Sequence, residues 1–387
     1  MKLTLVATCL FGLEKMLGEE IDALGCKRLE TMDGRITFEG DETALAAANI
    51  RLRCAERVYI RMGAFKAESF DELFEGVKGL PWETFIGRDD AFPVTGHSIH
   101  SKLFSIPDCQ KIIKKAIVDR LSEKYKLKWM PETGIKYRGE FFIFKDHATL
   151  MIDTSGAPLH KRGYRIEAGE APIRETLAAA MAMISRPRND VLFWDPFCGS
   201  GTIVIEAAMI ATRRAPGLNR SFAAEEFPMF PKEIWENERN RAREEIIYNT
   251  EFEAYGSDID AEVLKIAKEN AKRAGVDKYV SFFVKDALKL QKADRKGTIV
   301  CNPPYGERLM TLKEVEKLYK DMGRVFEALE PWQIYVLTSA ENFEALYGRR
   351  ADKVRKLYNG MIPCRFYQFF RPRSTGDRKK DTSSRRT

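Results

Sequence analysis

The chain has 387 residues, which is too many for one hydrophobic core and enough for two or three domains. Its 44% hydrophobic and 31% charged content is typical of a soluble globular protein, and no apolar run approaches the roughly 20 residues that cross a bilayer. The net charge of +7 is compatible with a polyanionic partner, and the seven cysteines are spread singly, with no CxxC spacing. We therefore expect a cytoplasmic protein with reduced thiols and no bound metal.

Residues 1–65 follow the order β-α-β-β-α-β, which is the ferredoxin-like pattern. The first predicted helix carries its apolar residues on one face and ends at Gly25. Asp33-Gly34 predicts a tight hairpin, and Asp41 is placed to cap the second helix. This segment offers no obvious catalytic residue.

Residues 66–165 predict a second small α/β unit. A helix at about 69–78 precedes a strand at about 91–95, and a basic helix follows at about 107–124. His97 and His100 lack a suitable third metal ligand nearby, so surface or RNA-contacting histidines are the simpler interpretation. The lysines of the basic helix are equally compatible with a solvated face.

This second unit resembles a THUMP domain, which is an RNA-binding module. The resemblance rests on Ser98-Ile99-His100-Ser101-Lys102-Leu103-Phe104 and on the helical segment that begins at Pro107. It implies lysine contacts to phosphates, which position RNA without reading its sequence. The RNA-binding residues that it implies are His100, Lys102, Lys111, Lys114 and Lys115.

Residues 166–370 predict a third, larger domain, in which a first, alanine-rich helix at Arg174–Ile184 is followed by a strand, a glycine-rich turn and a second helix. The buried strand runs into Asp195-Pro196-Phe197-Cys198-Gly199-Ser200-Gly201-Thr202, and an apolar helix follows. This order describes a Rossmann-type cofactor loop. A P-loop is excluded because no Gly-Lys-Ser/Thr is present, and Val204 stands where the dinucleotide fingerprint has its third glycine. Asp195 fits instead a cofactor whose amino-acid moiety offers an ammonium group.

Two further acidic residues end strands of this domain. A carboxylate at Asp258 can take both hydroxyls of a ribose. Its distance from the glycine loop exceeds the usual ~20 residues, because the segment 213–250 looks like an insertion. Asp286 ends the next strand and could meet an adenine edge.

A short apolar strand at 298–301 ends in Asn302-Pro303-Pro304-Tyr305. The prolines must stop the strand, and ligands of open α/β sheets lie beyond such strand ends. The Asn302 side-chain oxygen and the Pro303 carbonyl can accept the two N–H groups of a nucleobase amine, and Tyr305 can stack on the base. A Pro-Pro turn with an ordinary packed tyrosine is the alternative. Farther on, Asn359-Gly360 predicts a closing hairpin that adds an antiparallel strand.

Together, the Asp195 and Asn302 motifs resemble the signature of class I S-adenosyl-L-methionine-dependent amino-methyltransferases. The resemblance implies an α/β, Rossmann-like domain with a seven-stranded sheet whose last strand is antiparallel. It implies a catalytic site of Asn302, Pro303 and Tyr305, with no base needed before transfer. The cofactor-binding residues that it implies are Asp195, Phe197, Cys198, Gly199, Ser200, Gly201, Thr202, Asp258, Ile259 and Asp286.

The whole chain resembles the THUMP-containing rRNA guanine-N2-methyltransferases, through the extended motif 302–308 and through Leu159-His160-Lys161-Arg162-Gly163-Tyr164-Arg165. The implied reaction is methylation of the N2 amine of a guanine in 23S rRNA or in an assembly intermediate of the large ribosomal subunit. A tRNA guanine-N2 methyltransferase, a DNA adenine-N6 methyltransferase and a non-enzymatic ribosome-assembly RNA binder remain open. The chain ends soon after this domain, so no second methyltransferase is expected, and the basic segment 371–387 predicts a disordered tail.

Overall fold

The computed structural model describes residues 1–165, 173–292, 294–305 and 311–370. The predicted tail and the end of the extended motif lie outside the described residues. Packing divides the chain into two units. The first comprises Met1–Cys9, Leu17–Leu159 and Arg220–Arg241; the second comprises Leu10–Met16, His160–Asn219 and the described residues from Ala242 onward.

The first unit is built on one sheet with the strand order β2-β3-β1-β4-β7-β6-β5. Its helices are most of α1 (Glu14–Ala23), which enters this unit at Leu17, together with α2 (Glu42–Arg51), α3 (Phe70–Lys78) and α4 (Ile106–Tyr125). Its strands are β1 (Leu3–Cys9), β2 (Arg28–Met32), β3 (Arg35–Gly40), β4 (Ala55–Lys66), β5 (Val94–Ile99), β6 (Gly139–Phe144) and β7 (His147–Asp153).

Strand β4 joins the predicted ferredoxin-like and THUMP segments. It has 12 residues, and its first half pairs antiparallel with β1 while its second half pairs antiparallel with β7. The buried residues of β4 lie in its first half, at Ala55, Val58, Tyr59 and Ile60. One continuous sheet results, where the sequence pattern had suggested two separate small units.

The structure confirms two local predictions in the first unit, the β2–β3 hairpin and the α2 cap. Asp33-Gly34 turns the β2–β3 hairpin, and the Asp41 carboxylate accepts from the Ala44 amide at 2.9 Å as the α2 cap. The strand predicted at 91–95 is confirmed in part, because Ala91 forms an isolated bridge with Lys136 while the continuous strand β5 begins at Val94. Pro93 cannot donate a ladder hydrogen bond, so continuous pairing with β6 starts after it.

The second unit has a sheet of order β10-β9-β8-β11-β12-β14-β13. Its helices are α5 (Glu175–Ser185), α6 (Thr202–Ala211), α8 (Ala261–Ala274), α9 (Leu312–Glu327) and α10 (Phe343–Tyr347), while α7 (Lys232–Glu244) spans the boundary of the two units. Its strands are β8 (Leu192–Asp195), β9 (Ala254–Asp258), β10 (Val280–Val284), β11 (Gly297–Cys301), β12 (Gln333–Thr338), β13 (Lys353–Asn359) and β14 (Ile362–Phe369).

The strand order of this sheet confirms the predicted seven-stranded fold. Strands β10, β9, β8, β11 and β12 are parallel, and β14 runs antiparallel to both β12 and β13. The order reverses between β8 and β11, which is the topological switch point where such sheets bind ligands. Asp195 and Asn302 therefore lie at the carboxyl ends of neighbouring strands.

Only the middle of the predicted insertion 213–250 packs with the first unit. Residues Arg220–Arg241 belong to that unit, where the Phe227 ring stacks on Tyr137 with 4.2 Å between centroids. Glu238 forms a buried ion pair with Arg51. Part of the extra length between the glycine loop and Asp258 thus belongs to the core of the first unit.

The described chain shows no helix long and apolar enough to cross a membrane. None of the seven cysteines forms a disulfide bond within the described residues. The core of the second unit lies around β8, β11, β12 and α9, where the buried face of α9 includes Tyr319, Met322 and Phe326.

Gly323 allows α9 to pack closely against α10. A Cβ atom at this position would lie 1.9 Å from the backbone oxygen of Tyr347. We expect Gly323→Ala to destabilise the protein by about 1–3 kcal/mol or more, because backbone must move to accept the methyl group. Thermal unfolding followed by circular dichroism should show a lower midpoint.

Gly18→Ala in α1 is the matched control. Its Cβ would meet the guanidinium nitrogen of Arg28 at 2.6 Å, and that side chain can move. This variant should be neutral or up to about 1 kcal/mol more stable, since alanine favours a helix over glycine. Equal midpoints for the two variants would contradict the packing argument.

Candidate active site

Asp195 ends β8 as a fully buried carboxylate, only 1% exposed. Its Oδ1 accepts a hydrogen bond from the Phe197 amide at 3.0 Å. Burial raises the pKa of Asp195 well above its usual range, and the nearby charge of Asp258 raises it further. No basic side chain within the described residues offsets these effects. The site therefore favours a cationic group beside this carboxylate.

The glycine loop after Asp195 has two residues with positive φ. Gly199 has φ +50° and Gly201 has φ +83°. A Cβ at Gly201 would lie 2.9 Å from the ring of Phe282, whereas a Cβ at Gly199 would meet nothing within 4 Å. Gly201 thus permits tight packing inside the protein, while Gly199 borders open space through which a ligand can approach the backbone.

The other predicted loop residues are held by hydrogen bonds to neighbouring elements. The Cys198 amide donates to the Ser257 carbonyl at 3.0 Å, and burial raises the pKa of the Cys198 thiol well above its usual range. The Asn270 side chain donates to the Ser200 carbonyl at 3.1 Å. Arg165 donates to the Thr202 hydroxyl at 2.7 Å. These contacts fix the loop between β8 and α6.

Asp258 lies at the end of β9, beside the glycine loop. Its carboxylate accepts from the Gly199 amide at 3.0 Å and from the Asp260 amide at 3.1 Å. Ile259, the next residue, is 74% exposed. Asp286 follows β10 and caps a short 3-10 helix by accepting from the Leu288 amide at 2.9 Å. The structure therefore brings the predicted cofactor residues to one edge of the sheet.

The segment that carried the whole-chain resemblance forms buried ion pairs. Arg162 lies 3.5 Å from Glu206, and the Tyr164 hydroxyl donates to the same carboxylate at 3.1 Å. Arg165 lies 3.5 Å from Glu175. Arg162 and Tyr164 thus anchor this segment to α6, and Arg165 anchors it to α5.

Asn302 follows β11 and carries a buried oxygen atom with an unmet hydrogen-bonding requirement. Its side-chain oxygen Oδ1 has no hydrogen-bond donor among the described residues. Buried polar atoms are rarely left in this state, and each one calls for an explanation. Pro303 beside it is buried and has no amide N–H to offer. The two residues form an acceptor surface suited to a donor group that arrives with a ligand.

Tyr305 and Pro304 are positioned by residues that the sequence analysis missed. The Asn359 side chain donates to the Tyr305 hydroxyl oxygen at 2.7 Å. The buried Tyr319 hydroxyl donates to the Pro304 carbonyl at 2.9 Å and lies 2.8 Å from the Thr338 hydroxyl. Tyr319 lies on α9 and Thr338 ends β12, and neither belongs to a sequence motif. Only the three-dimensional structure identifies their role beside Pro304.

The predicted RNA-contact residues lie in the first unit, and most are engaged with neighbouring side chains. Lys102 pairs with Glu68, Lys111 lies 3.8 Å from Asp108, and Lys114 lies 2.7 Å from Glu132. Lys115 lies 5.6 Å from the Phe74 ring centroid, and the His100 ring is edge-on to Phe144. Their contact with RNA stays a prediction. Among described residues, no three acidic, histidine or cysteine side chains form a group that could hold a metal.

Comparison with known families gives three matches along the chain. The RlmL ferredoxin-like domain matches residues 4–59, and the THUMP domain matches residues 67–153. The RMKL-like methyltransferase domain matches residues 162–368, more than half of the chain. The chain belongs to this RMKL-like methyltransferase family.

Individual relatives of this methyltransferase agree with the family match. The YpsC protein of Bacillus subtilis (strain 168), which carries the name of an RNA methyltransferase, is 46% identical over 95% of this chain and 96% of its own. The ribosomal RNA large subunit methyltransferase K/L of Psychromonas ingrahamii is 34% identical over 91% of this chain, which spans only 48% of that protein. The solved structure of SMU.472 complexed with SAH is 40% identical, with a TM-score of 0.90 over 97% of this chain and 99% of that one.

Asp195→Asn tests the electrostatics of the methyltransferase site. The amide keeps an oxygen for the Phe197 N–H and removes the buried charge. Because the folded-state pKa of Asp195 is raised, ionisation disfavours folding once the pH exceeds the unfolded value of about 3.9. We expect the ligand-free variant to unfold at a higher temperature than the wild type at pH 7.

The advantage of Asp195→Asn should shrink as the pH falls towards 4, since the wild-type carboxyl is then protonated in both states. Thermal unfolding measured at several pH values checks this trend. Asp260→Asn is a suitable control, because that exposed carboxylate has no such burial. A variant less stable than wild type at every pH would show that the Asp195 charge is compensated within the protein.

Proposed function

We propose that this chain transfers a methyl group from S-adenosyl-L-methionine to the exocyclic N2 amine of a guanine in 23S rRNA. The methyltransferase family is established by the match above; the guanine, the N2 atom and the rRNA are our proposal. The observation that carries it is the unpartnered Asn302 oxygen at the switch point of the sheet. An exocyclic amine has two N–H donors and is the ligand group that this acceptor requires.

The cofactor supplies an activated methyl group when it is bound. The residues present fit it: Asp195 offers a buried carboxylate to the ammonium group, Gly199 leaves its backbone accessible, and Asp258 is placed for the ribose. Support also comes from SMU.472, which was solved with SAH. The assignment of individual residues to parts of the cofactor is proposed on these grounds.

Asn302 and Pro303 orient the acceptor amine and stabilise the charge that develops on it. The lone pair of a guanine amine is delocalised into the ring, so attack requires the nitrogen to become more tetrahedral. Acceptors at the Asn302 side chain and the Pro303 carbonyl favour that change, and they stabilise positive charge on the nitrogen. Tyr305, held through Asn359, is proposed to stack on the base face. The base must leave its helix to reach this edge.

The domain type of the first unit supports RNA rather than DNA as the substrate. The THUMP match covers residues 67–153, and the Psychromonas relative is named for the large ribosomal subunit. A tRNA guanine and a DNA adenine offer the same kind of amine, so the acceptor surface alone does not separate them. The predicted domain limits of 65, 165 and 370 and the RNA contacts in the first unit belong to this proposal.

The test is methyl transfer from labelled S-adenosyl-L-methionine to 23S rRNA from a strain that lacks this gene, to bulk tRNA and to duplex DNA. Nucleoside mass analysis should find N2-methylguanosine in the rRNA. N6-methyladenine in DNA, or label confined to tRNA, would overturn the rRNA assignment. If the protein binds the cofactor but methylates none of these substrates, two alternatives are favoured. Either it is a non-enzymatic RNA-binding protein of ribosome assembly, or its substrate is an assembly intermediate of the large subunit.

Asn302→Ala should lower transfer in the same assay by at least about 100-fold, the usual cost of removing one key polar contact to a developing charge. Cofactor affinity, measured by calorimetry, should stay within a few-fold of wild type. Asn302→Asp keeps the acceptor oxygen and should retain more activity than the alanine variant. Equal loss of transfer and of cofactor binding would assign Asn302 a structural role.

Tyr319→Phe tests the positioning of the Pro304 carbonyl. The change removes one hydroxyl and leaves the buried ring, so the cost in stability should be about 1 kcal/mol. Because Pro303 and Tyr305 flank the released carbonyl, we expect kcat to fall several-fold while KM for the cofactor is unchanged. Tyr347→Phe, on α10, serves as the control and should leave kcat unaltered. An unchanged kcat in Tyr319→Phe would show that the prolines hold their own conformation.

A further inference from the structure

The β13–β14 hairpin projects beyond the edge of the sheet that carries the site. Strand β12 ends at Thr338, opposite Arg365 of β14, and Arg365 pairs with Lys356 of β13. Three further residue pairs extend past that point, up to Asn359 and Ile362. At about 3.4 Å per residue the hairpin tip stands roughly 10 Å beyond the end of β12. It therefore rises on the side from which a nucleic acid must approach Asn302.

The tip of this hairpin presents one apolar side chain to solvent. Gly360 and Met361 form the two-residue turn, one residue later than predicted, and Gly360 has φ +64°. Met361 is 95% exposed, although hairpin turns normally carry small or polar residues. Its neighbour Asn359 holds the Tyr305 hydroxyl at 2.7 Å. The exposed methionine thus lies two residues from the side chain that holds the ring proposed to receive the target base.

A loop from the N-terminal region supports the hairpin. Leu10–Met16 belongs to the second unit, and in it Phe11 meets Tyr358 edge-to-face with 5.8 Å between ring centroids. Gly12 has φ +90°, and a Cβ there would lie 2.5 Å from the Lys356 carbonyl oxygen. Leu13 is fully buried. These contacts stiffen the projecting pairs, which would otherwise bend as a free two-stranded ribbon.

The strand that leads to the tip carries positive charge without neutralising partners. Lys353 and Lys356 are exposed, and neither forms an ion pair with a carboxylate of the described residues. Lys356 lies instead 5.4 Å from the Tyr358 ring centroid. Lys102, Lys111 and Lys114 of the first unit, by contrast, each have an acidic partner. The hairpin is therefore suited to follow a phosphate backbone.

We propose that Met361 is a base-extrusion wedge: it enters the RNA stack at the place vacated by the target base, while Tyr305 receives that base. Apolar side chains, methionine among them, insert between base steps in other nucleic-acid complexes, and the unstacking cost of a few kcal/mol is offset by new contacts. Because the N-terminal loop supports the hairpin, the Met361 side chain at its tip can keep the gap between the neighbouring bases open. This inference rests on the proposed function, because it requires a nucleobase substrate.

The experiment compares two RNA substrates made from the fragment that contains the methylated nucleotide once it is mapped. In one substrate the target base is paired; in the other it faces an abasic site. Met361→Ala should lower kcat/KM on the paired substrate by at least about 10-fold and change it by less than about 2-fold on the abasic one, where extrusion costs least. Met361→Leu keeps an apolar wedge and should restore most of the activity.

Val354→Ala is the matched control, since Val354 is an exposed apolar residue on the same strand away from the tip. It should not distinguish the two substrates. Phe11→Ala removes the support and should show the same substrate dependence as Met361→Ala, in a weaker form.

The outcomes separate this inference from the proposed function. No transfer by the wild type to either substrate contradicts the proposed function itself. An active wild type whose Met361→Ala variant loses equal activity on both substrates, or none on either, overturns the wedge. Loss confined to the paired substrate supports it.

Discussion

The site depends on two buried polar groups whose requirements the described protein does not meet. Asp195 is a carboxylate without a cation, and the Asn302 oxygen is an acceptor without a donor. Each costs stability in the free protein, since burial without a partner forfeits the interaction with water. The reversal of strand order between β8 and β11 places both groups at one edge. A ligand pair that brings an ammonium group and an amine would satisfy them together.

Such groups are tolerated only where the surrounding structure holds them rigidly. Trp194 precedes Asp195 and donates to the Ser257 hydroxyl at 3.0 Å, while Asp258 binds the Gly199 amide from the adjacent strand. On the other side, the Tyr319 hydroxyl and Thr338 support Pro304. The unmet groups are thus surrounded by satisfied hydrogen bonds, so the free protein cannot relax around them. Such rigidity would preorganise the site for the methyl transfer proposed above.

The parts of the fold that follow from local chemistry could be predicted from the sequence. Asp33-Gly34, the Asp41 cap and the proline stop after β11 each act within a few residues, and the structure shows all three. The strand predicted at 91–95 is displaced in the structure, where Pro93 separates the isolated bridge at Ala91 from β5. Tyr319, Asn359 and Phe11 were missed for another reason: their roles arise from contacts with residues 15, 54 and 347 positions away. No local pattern encodes such contacts.

The ion pairs around the predicted RNA-binding lysines do not weigh equally against a role in RNA binding. Exposed pairs such as Lys111 with Asp108 contribute little to stability, so a phosphate can replace the carboxylate at small cost. Lys114 is held more firmly, because it also donates to the Phe92 carbonyl at 3.1 Å and lies 3.6 Å from the Phe92 ring centroid. Lys114 is therefore the least available of the set. Its place on α4 is better explained by the packing of the helix than by a phosphate contact, whereas Lys111 remains free to exchange its partner.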